Sequence, residues 1–172
     1  MSAQIGADFL AQAVHEFRDM QTTAERAVAQ LSDAELLLSP DAETNSVAIT
    51  MRHVAGNQRS RWRDFLTSDG EKLDRDRDGE FEMGTPIDRA ALLAEWHAGW
   101  ETLYRALAEL TPDHLGQTVT IRGKPLTVLQ AILRQLKHYS YHVGQIVLLA
   151  KHYAGGRWQT LSIARGQPRE VR

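Results

Sequence analysis

Cysteine is absent from the 172 residues. That excludes disulfides, thiolate metal ligands and a cysteine nucleophile, and leaves histidine, carboxylate or water to hold any metal. A charge excess is missing too: 20 basic side chains stand against 22 acidic ones, a net charge of −2. Nucleic-acid binding normally shows a strong basic excess or patch, so no nucleic-acid partner is expected. No apolar run approaches the roughly eighteen residues of a membrane span, so no membrane association is expected either. Met1 to Leu10 has neither a basic nor an apolar leader region, which predicts no signal peptide and a cytoplasmic protein. The remainder is 42% hydrophobic and 24% charged, enough apolar residues for a substantial core in one domain spanning 1–172.

Hydrophobic periodicity then predicts four long helices. Phe9, Leu10, Ala13, Phe17, Met20, Ala24, Ala27, Val28 and Leu31 recur at three- and four-residue steps, an amphipathic helix of about six turns. Asp33 to Thr44 contains Ser39-Pro40-Asp41, a turn signal. A second helix is expected from Asn45 or Ser46, both good caps, through Val47, Met51, Val54, Trp62 and Phe65 to about 67–70. Thr85-Pro86 resembles a cap and first helical position, with Asp88 in the first turn, for a third helix carrying Leu92, Trp96, Trp100, Leu103 and Leu107. The β-branched alternation in Thr118-Val119-Thr120-Ile121 before Arg122-Gly123 suggests a short extended segment or hairpin. The fourth helix runs from Leu126 or Thr127 to Tyr153, ended by Gly155-Gly156, before a polar tail from Arg157. The pattern reads as an all-α four-helix bundle, an architecture that builds ligand and metal sites between facing helices.

Residues 67–85 are the least regular part. Asp74, Asp76, Asp78 and Gly79 imitate the start of an EF-hand calcium loop, but position twelve is Thr85 instead of glutamate, and Arg75 and Arg77 neutralise the cluster. The expectation is a solvated, salt-bridged loop.

Chemistry concentrates in the fourth helix. His138 and His142 are four residues apart, so a helix stacks them on one face, together with Gln135 and Gln145. Ile132, Leu133, Leu136, Val143, Val147 and Leu148 are expected to pack on either side. Such a pair is either two core histidines with hydrogen-bond partners or two ligands of a metal. Among the other histidines, His53 sits mid-helix among Ala55 and Gly56, small residues that permit close approach by another helix. His53, His138 and His142 together would make a three-histidine facial site with an open position, the arrangement of a catalytic metal. On sequence alone His97 could replace His53, and a mid-helix histidine can simply be buried against a carbonyl or carboxylate.

Asn45 to Ile49, Arg52 to Asn57, Arg61 to Lys72, Arg134 to Ile146 and Trp158 to Ile163, taken together, resemble a bacterial branch of the DinB/YfiT-like superfamily across roughly residues 7 to 167. The resemblance implies a DinB-like four-helix bundle in up-down-down-up order. It implies a homodimer and one divalent metal ion per chain, zinc or nickel first, iron or manganese next, held by a triad at His53, His138 and His142. Relatives that act as thiol transferases or as a thiol-dependent isomerase imply a metal-dependent S-transferase, lyase or isomerase. Its partners would be a small-molecule substrate and a low-molecular-weight thiol. Asn57, Arg61, Arg134, Tyr141 and Gln145 are then candidates for orienting substrate or ligands, and spacing does not choose among them. Two other readings stay open: a metal-dependent hydrolase at the same site, and a non-catalytic, metal-stabilised bundle binding a small ligand. In the latter, Trp62, Trp96 and Trp100 would be core or interface packing.

Overall fold

A computed structural model describes residues 2–82, 88–164 and 166. Among them are five α-helices, α1 (Ala3–Val28), α2 (Asp33–Leu36), α3 (Val47–Trp62), α4 (Arg89–Ala108) and α5 (Val128–Ala154), and one hairpin, β1 (Thr118–Ile121) with β2 (Lys124–Thr127). The chain is mostly helical, as the periodicity predicts. The four long helices pack as neighbours, α1 on α5 and on α4, α3 on α4 and on α5.

Local chemistry sets the boundaries. The Ser2 hydroxyl accepts from the Ile5 N–H, so α1 begins six residues before the expected Phe9. The short α2 is not among the expected helices and precedes the Ser39-Pro40-Asp41 turn, where the chain is non-helical. Ser32 and Glu35 form a reciprocal capping box that starts it, and it buries Leu36. Ser46 caps α3 through the Ile49 N–H. That helix stops at Trp62, short of 67–70, because Asp64 takes a left-handed φ of 50° and its carbonyl accepts from the Thr67 and Ser68 N–H groups. Asp88 is itself the cap of α4, accepting from the Ala90 and Ala91 N–H groups, where a first-turn position was expected. The expected Thr85-Pro86 cap lies outside the described residues. Thr127 and Gln130 form a capping box for α5, and Gly155, at φ 54°, ends it.

Aromatic rings fill the centre. Phe17 of α1 packs edge-on against Trp62 and Trp100 at ring separations of 6.1 and 6.3 Å, and Tyr139 of α5 lies 5.8 Å from Trp100. The Trp62 indole N–H donates to the Tyr139 hydroxyl (3.2 Å), which donates to Asn57 Oδ1 (3.1 Å). This buried relay ties α3 to α5 with its polar atoms paired. Leu133 and Leu148 do not join the packing: they are 48% and 68% exposed. Both stand on the outer side of α5, because the 3.6-residue turn cannot face every apolar residue of the run inward.

α3 is unusual for how little of it meets solvent. Thr50, His53, Asn57, Gln58, Ser60 and Arg61 are all buried along with its apolar residues. A helix this polar and this enclosed needs partners from outside itself. Some come from the irregular segment before α4, which the hairpin anchors. β1 and β2 pair antiparallel from Thr118↔Thr127 to Ile121↔Lys124, turning on Arg122 and Gly123, both at positive φ. Asp69 Oδ1 accepts from the Glu71 and Arg122 N–H groups and Oδ2 from that of Gly123, all at 2.7–2.8 Å.

That clamp has a pH signature. Burial opposes ionisation of Asp69, but the three backbone donors outweigh it and hold the carboxyl at about 2. A carboxyl whose pKa falls on folding stabilises the fold above its unfolded pKa, roughly 4, and loses that contribution as pH drops through the folded value. Asp69→Asn is therefore expected to be less stable than wild type by a constant margin above about pH 4 that narrows towards pH 2. Urea unfolding midpoints across that range check it.

Candidate metal centre

The helical repeat puts His53, Asn57 and Arg61 of α3 in register along one face, and His138 and His142 of α5 one turn apart on the facing side. The structure brings the three imidazoles together. One ring nitrogen from each lies within 4.8 Å of the others. Ring centres are 5.6 Å apart for His53–His138, 5.0 Å for His53–His142 and 4.7 Å for His138–His142. His97 is elsewhere, exposed and 3.2 Å from Glu25 of α1, which closes that alternative.

Three features of the donor set fit a divalent ion. His138 Nε2 and His142 Nε2 are 3.1 Å apart. Two nitrogens each about 2.1 Å from a common metal, at ligand angles of about 90–110°, would stand about 3.0–3.4 Å apart. The Nδ1 atoms are engaged outward, His53 with Glu80 Oε2 at 3.0 Å and His142 with Gln145 Oε1 at 2.8 Å. An Nδ1–H donated to each oxygen leaves the Nε2 lone pair free to ligate. The third feature is protonation: burial first, then the adjacent His142 and His53, lower His138 to about 3, and burial lowers His142 despite the opposing Gln145 bond. Both are thus the neutral imidazoles that ligation requires.

The residue that sequence reading passed over is Glu80. The segment 67–82 is not simply solvated: Glu80 is 7% exposed, held in a 3₁₀ turn at Gly79–Phe81. Its Oε1 accepts from Arg75 Nε (2.7 Å) and its Oε2 from Arg75 Nη2 (2.8 Å), a two-pronged pair beside the His53 bond. Burial opposes ionisation, yet the hydrogen bonds from His53 and Arg75 lower the Glu80 pKa, so it stays a carboxylate. Arg75 reaches on to Glu71 (3.2 Å), which also holds Arg61 and Arg122, each at 2.9 Å. Arg75 therefore serves these carboxylates and not the aspartate cluster. Asp74 instead pairs with Arg63, and Asp76 caps the Gly79 N–H.

Gly56 explains how a carboxylate gets so near α3. A Cβ there would stand 2.1 Å from Glu80 Oε1, so only glycine admits it. The small residues around His53 thus serve two neighbours. Ala55 meets α4, where a Cβ on Gly99 would lie 2.9 Å from the Ala55 Cα, while Gly56 admits Glu80. A glycine one turn after a candidate ligand was the available signal.

A pocket of about 390 Å³ opens beside the triad, lined by His53 and His138 and by four of the other sequence candidates, Asn57, Arg61, Arg134 and Tyr141. Gln145, the fifth, does not line it but bonds His142.

These features define a mostly helical protein with a three-histidine cluster that could hold a metal ion. The chain belongs to the family described as a protein of unknown function, DUF1572, whose model matches residues 4–167. No curated protein matches it. Among the described residues, no helix is long and apolar enough to cross a membrane.

Proposed function

We propose that this protein is a divalent-metal enzyme of the DinB-like four-helix-bundle class, up-down-down-up, that transfers an external thiol to a small electrophilic substrate. The observation that carries the metal assignment is the clustering of three imidazoles, two of them turned inward by oxygens on their outer nitrogens. The reaction rests on the likeness to the DinB/YfiT-like superfamily. His53, His138 and His142 would hold the ion, zinc or nickel before iron or manganese, since imidazole suits all of these. When bound, such an ion supplies positive charge that favours the deprotonated form of a thiol.

The chain's own residues do the rest. Glu80 and Gln145 fix the ring orientations, and the pocket beside His138 receives the acceptor. With no cysteine in the chain, the sulfur must come from a cosubstrate. Its carbon–sulfur bond forms as the leaving group departs with its bonding pair, and the thiol proton passes to solvent. A homodimer and a cytoplasmic location belong to the same proposal. The dimer rests on the family likeness; Leu133 and Leu148, exposed on the outer side of α5, are apolar positions that a second copy could cover.

A panel of low-molecular-weight thiols with an electrophilic acceptor, assayed with nickel, zinc and manganese, tests the reaction. Metal-dependent turnover that His142→Ala abolishes is expected. No metal-dependent rate above background across the panel would overturn thiol transfer.

A further inference from the structure

We infer that the pocket beside the triad takes a small anionic molecule, one bearing a carboxylate or phosphoryl group; this rests on the reading of that pocket as the substrate site. The pocket is lined by six cationic side chains, Arg61, Arg75, Arg77, Arg122, Arg134 and Lys137, and by no carboxylate. The whole chain, by contrast, carries a net charge of −2. A second cleft, lined in part by Glu80 and Arg75, is charged but balanced. Its lining sets five cations against four carboxylates.

Two carboxylates stand behind the cationic wall. Glu71 holds Arg61, Arg75 and Arg122, and Glu80 holds Arg75. They fix those guanidinium groups in place without cancelling six charges. Among the described residues, no carboxylate pairs with Arg77, Arg134 or Lys137; Arg77 only overlies the Phe81 ring at 5.9 Å. Like charges gathered at the mouth of a concave site repel one another and raise the local concentration of an opposite charge. Planar guanidinium groups suit the paired oxygens of carboxylates and phosphates.

One buried donor is of the matching sense: Arg61 lines the pocket and is 4% exposed, and its Nε–H has no hydrogen-bond partner. The volume, about 390 Å³, suits a small metabolite and excludes a polymer from full engulfment. With its charged end against Arg77, Arg134 and Lys137, such a molecule reaches His138, which lines the same pocket.

Calorimetric titration of the full-length, tag-free protein tests this with three probes: succinate, inorganic phosphate and the neutral succinamide. The two anions separate carboxylate from phosphoryl preference. Binding of at least one is expected, with none of succinamide, and about tenfold weaker binding in Arg77→Gln/Arg134→Gln, whose side chains are exposed and whose helical circular dichroism should not change. Each titration is run on metal-loaded and metal-stripped protein. Binding of neither anion, equal binding of succinamide, or anion binding that needs the metal and ignores the arginine changes would overturn the inference. Metal content on the same samples separates the failures: protein that holds metal but no anion loses only the anionic ligand, and protein that binds anions without ever holding metal loses only the metal-enzyme reading.

Discussion

His142→Ala is expected to lose tight binding of a divalent ion while keeping the helical circular dichroism of the wild type. His142 Nε2 lies 3.1 Å from His138 Nε2, and the residue sits in the middle of α5, far from either cap. Alanine is the best helix former, and the His142 side chain carries none of the core packing given by Val143, Ile146 and Tyr139. The site falls from three imidazoles to two. The loss should exceed the roughly 10–100-fold that removal of an outer partner of a ligand costs. Competition titration against a chromophoric chelator measures it. Unchanged affinity would show that the triad is a set of packed histidines bonded to Glu80 and Gln145 and nothing more.

Glu80→Ala is expected to damage both stability and metal binding, for separable reasons. Its carboxylate is the bidentate partner of Arg75, whose side chain is 5% exposed, so removal leaves a buried cation short of its partner. Breaking a buried pair from one side costs about 3–5 kcal/mol, and the low end applies because Arg75 keeps Glu71. Urea unfolding of the metal-free protein reads that loss. Glu80 also orients His53, and its removal should weaken metal affinity about 10–100-fold. Glu80→Gln keeps an oxygen for the His53 Nδ1–H but not the charge. It should recover more of the affinity than of the stability. If both variants bind metal as the wild type does, Glu80 is a structural partner of Arg75 alone.

How much of this is legible without coordinates depends on whether the signal is local. The four long helices are written in three- and four-residue periodicity, and the hairpin in Thr118–Ile121 followed by Arg122-Gly123. The approach of His138 to His142 follows from spacing alone. His53 needs the packing of α3 on α5, which family resemblance suggests but which periodicity does not fix; its small neighbours meet α4 and Glu80 instead. Glu80 is a different case. It lies in a segment whose acids and bases alternate, and nothing local separates a carboxylate that folds back onto α3 from one that meets water. Only Gly56, read as room for something, hints at it. Leu133 and Leu148 fail in the opposite direction, since an almost continuous apolar run hides which side faces out. The capping box at Ser32 and Glu35 was readable as Ser-x-x-Glu, but a four-residue helix is too short for periodicity to reveal.

The most direct measurement is the metal content of protein purified without a histidine tag, by elemental analysis, with His53→Ala and His142→Ala alongside. About one divalent ion per chain in the wild type and a large loss in both variants are expected. Wild-type protein that holds no ion after exposure to zinc and nickel, or variants that keep full occupancy, would contradict a metal centre at His53, His138 and His142.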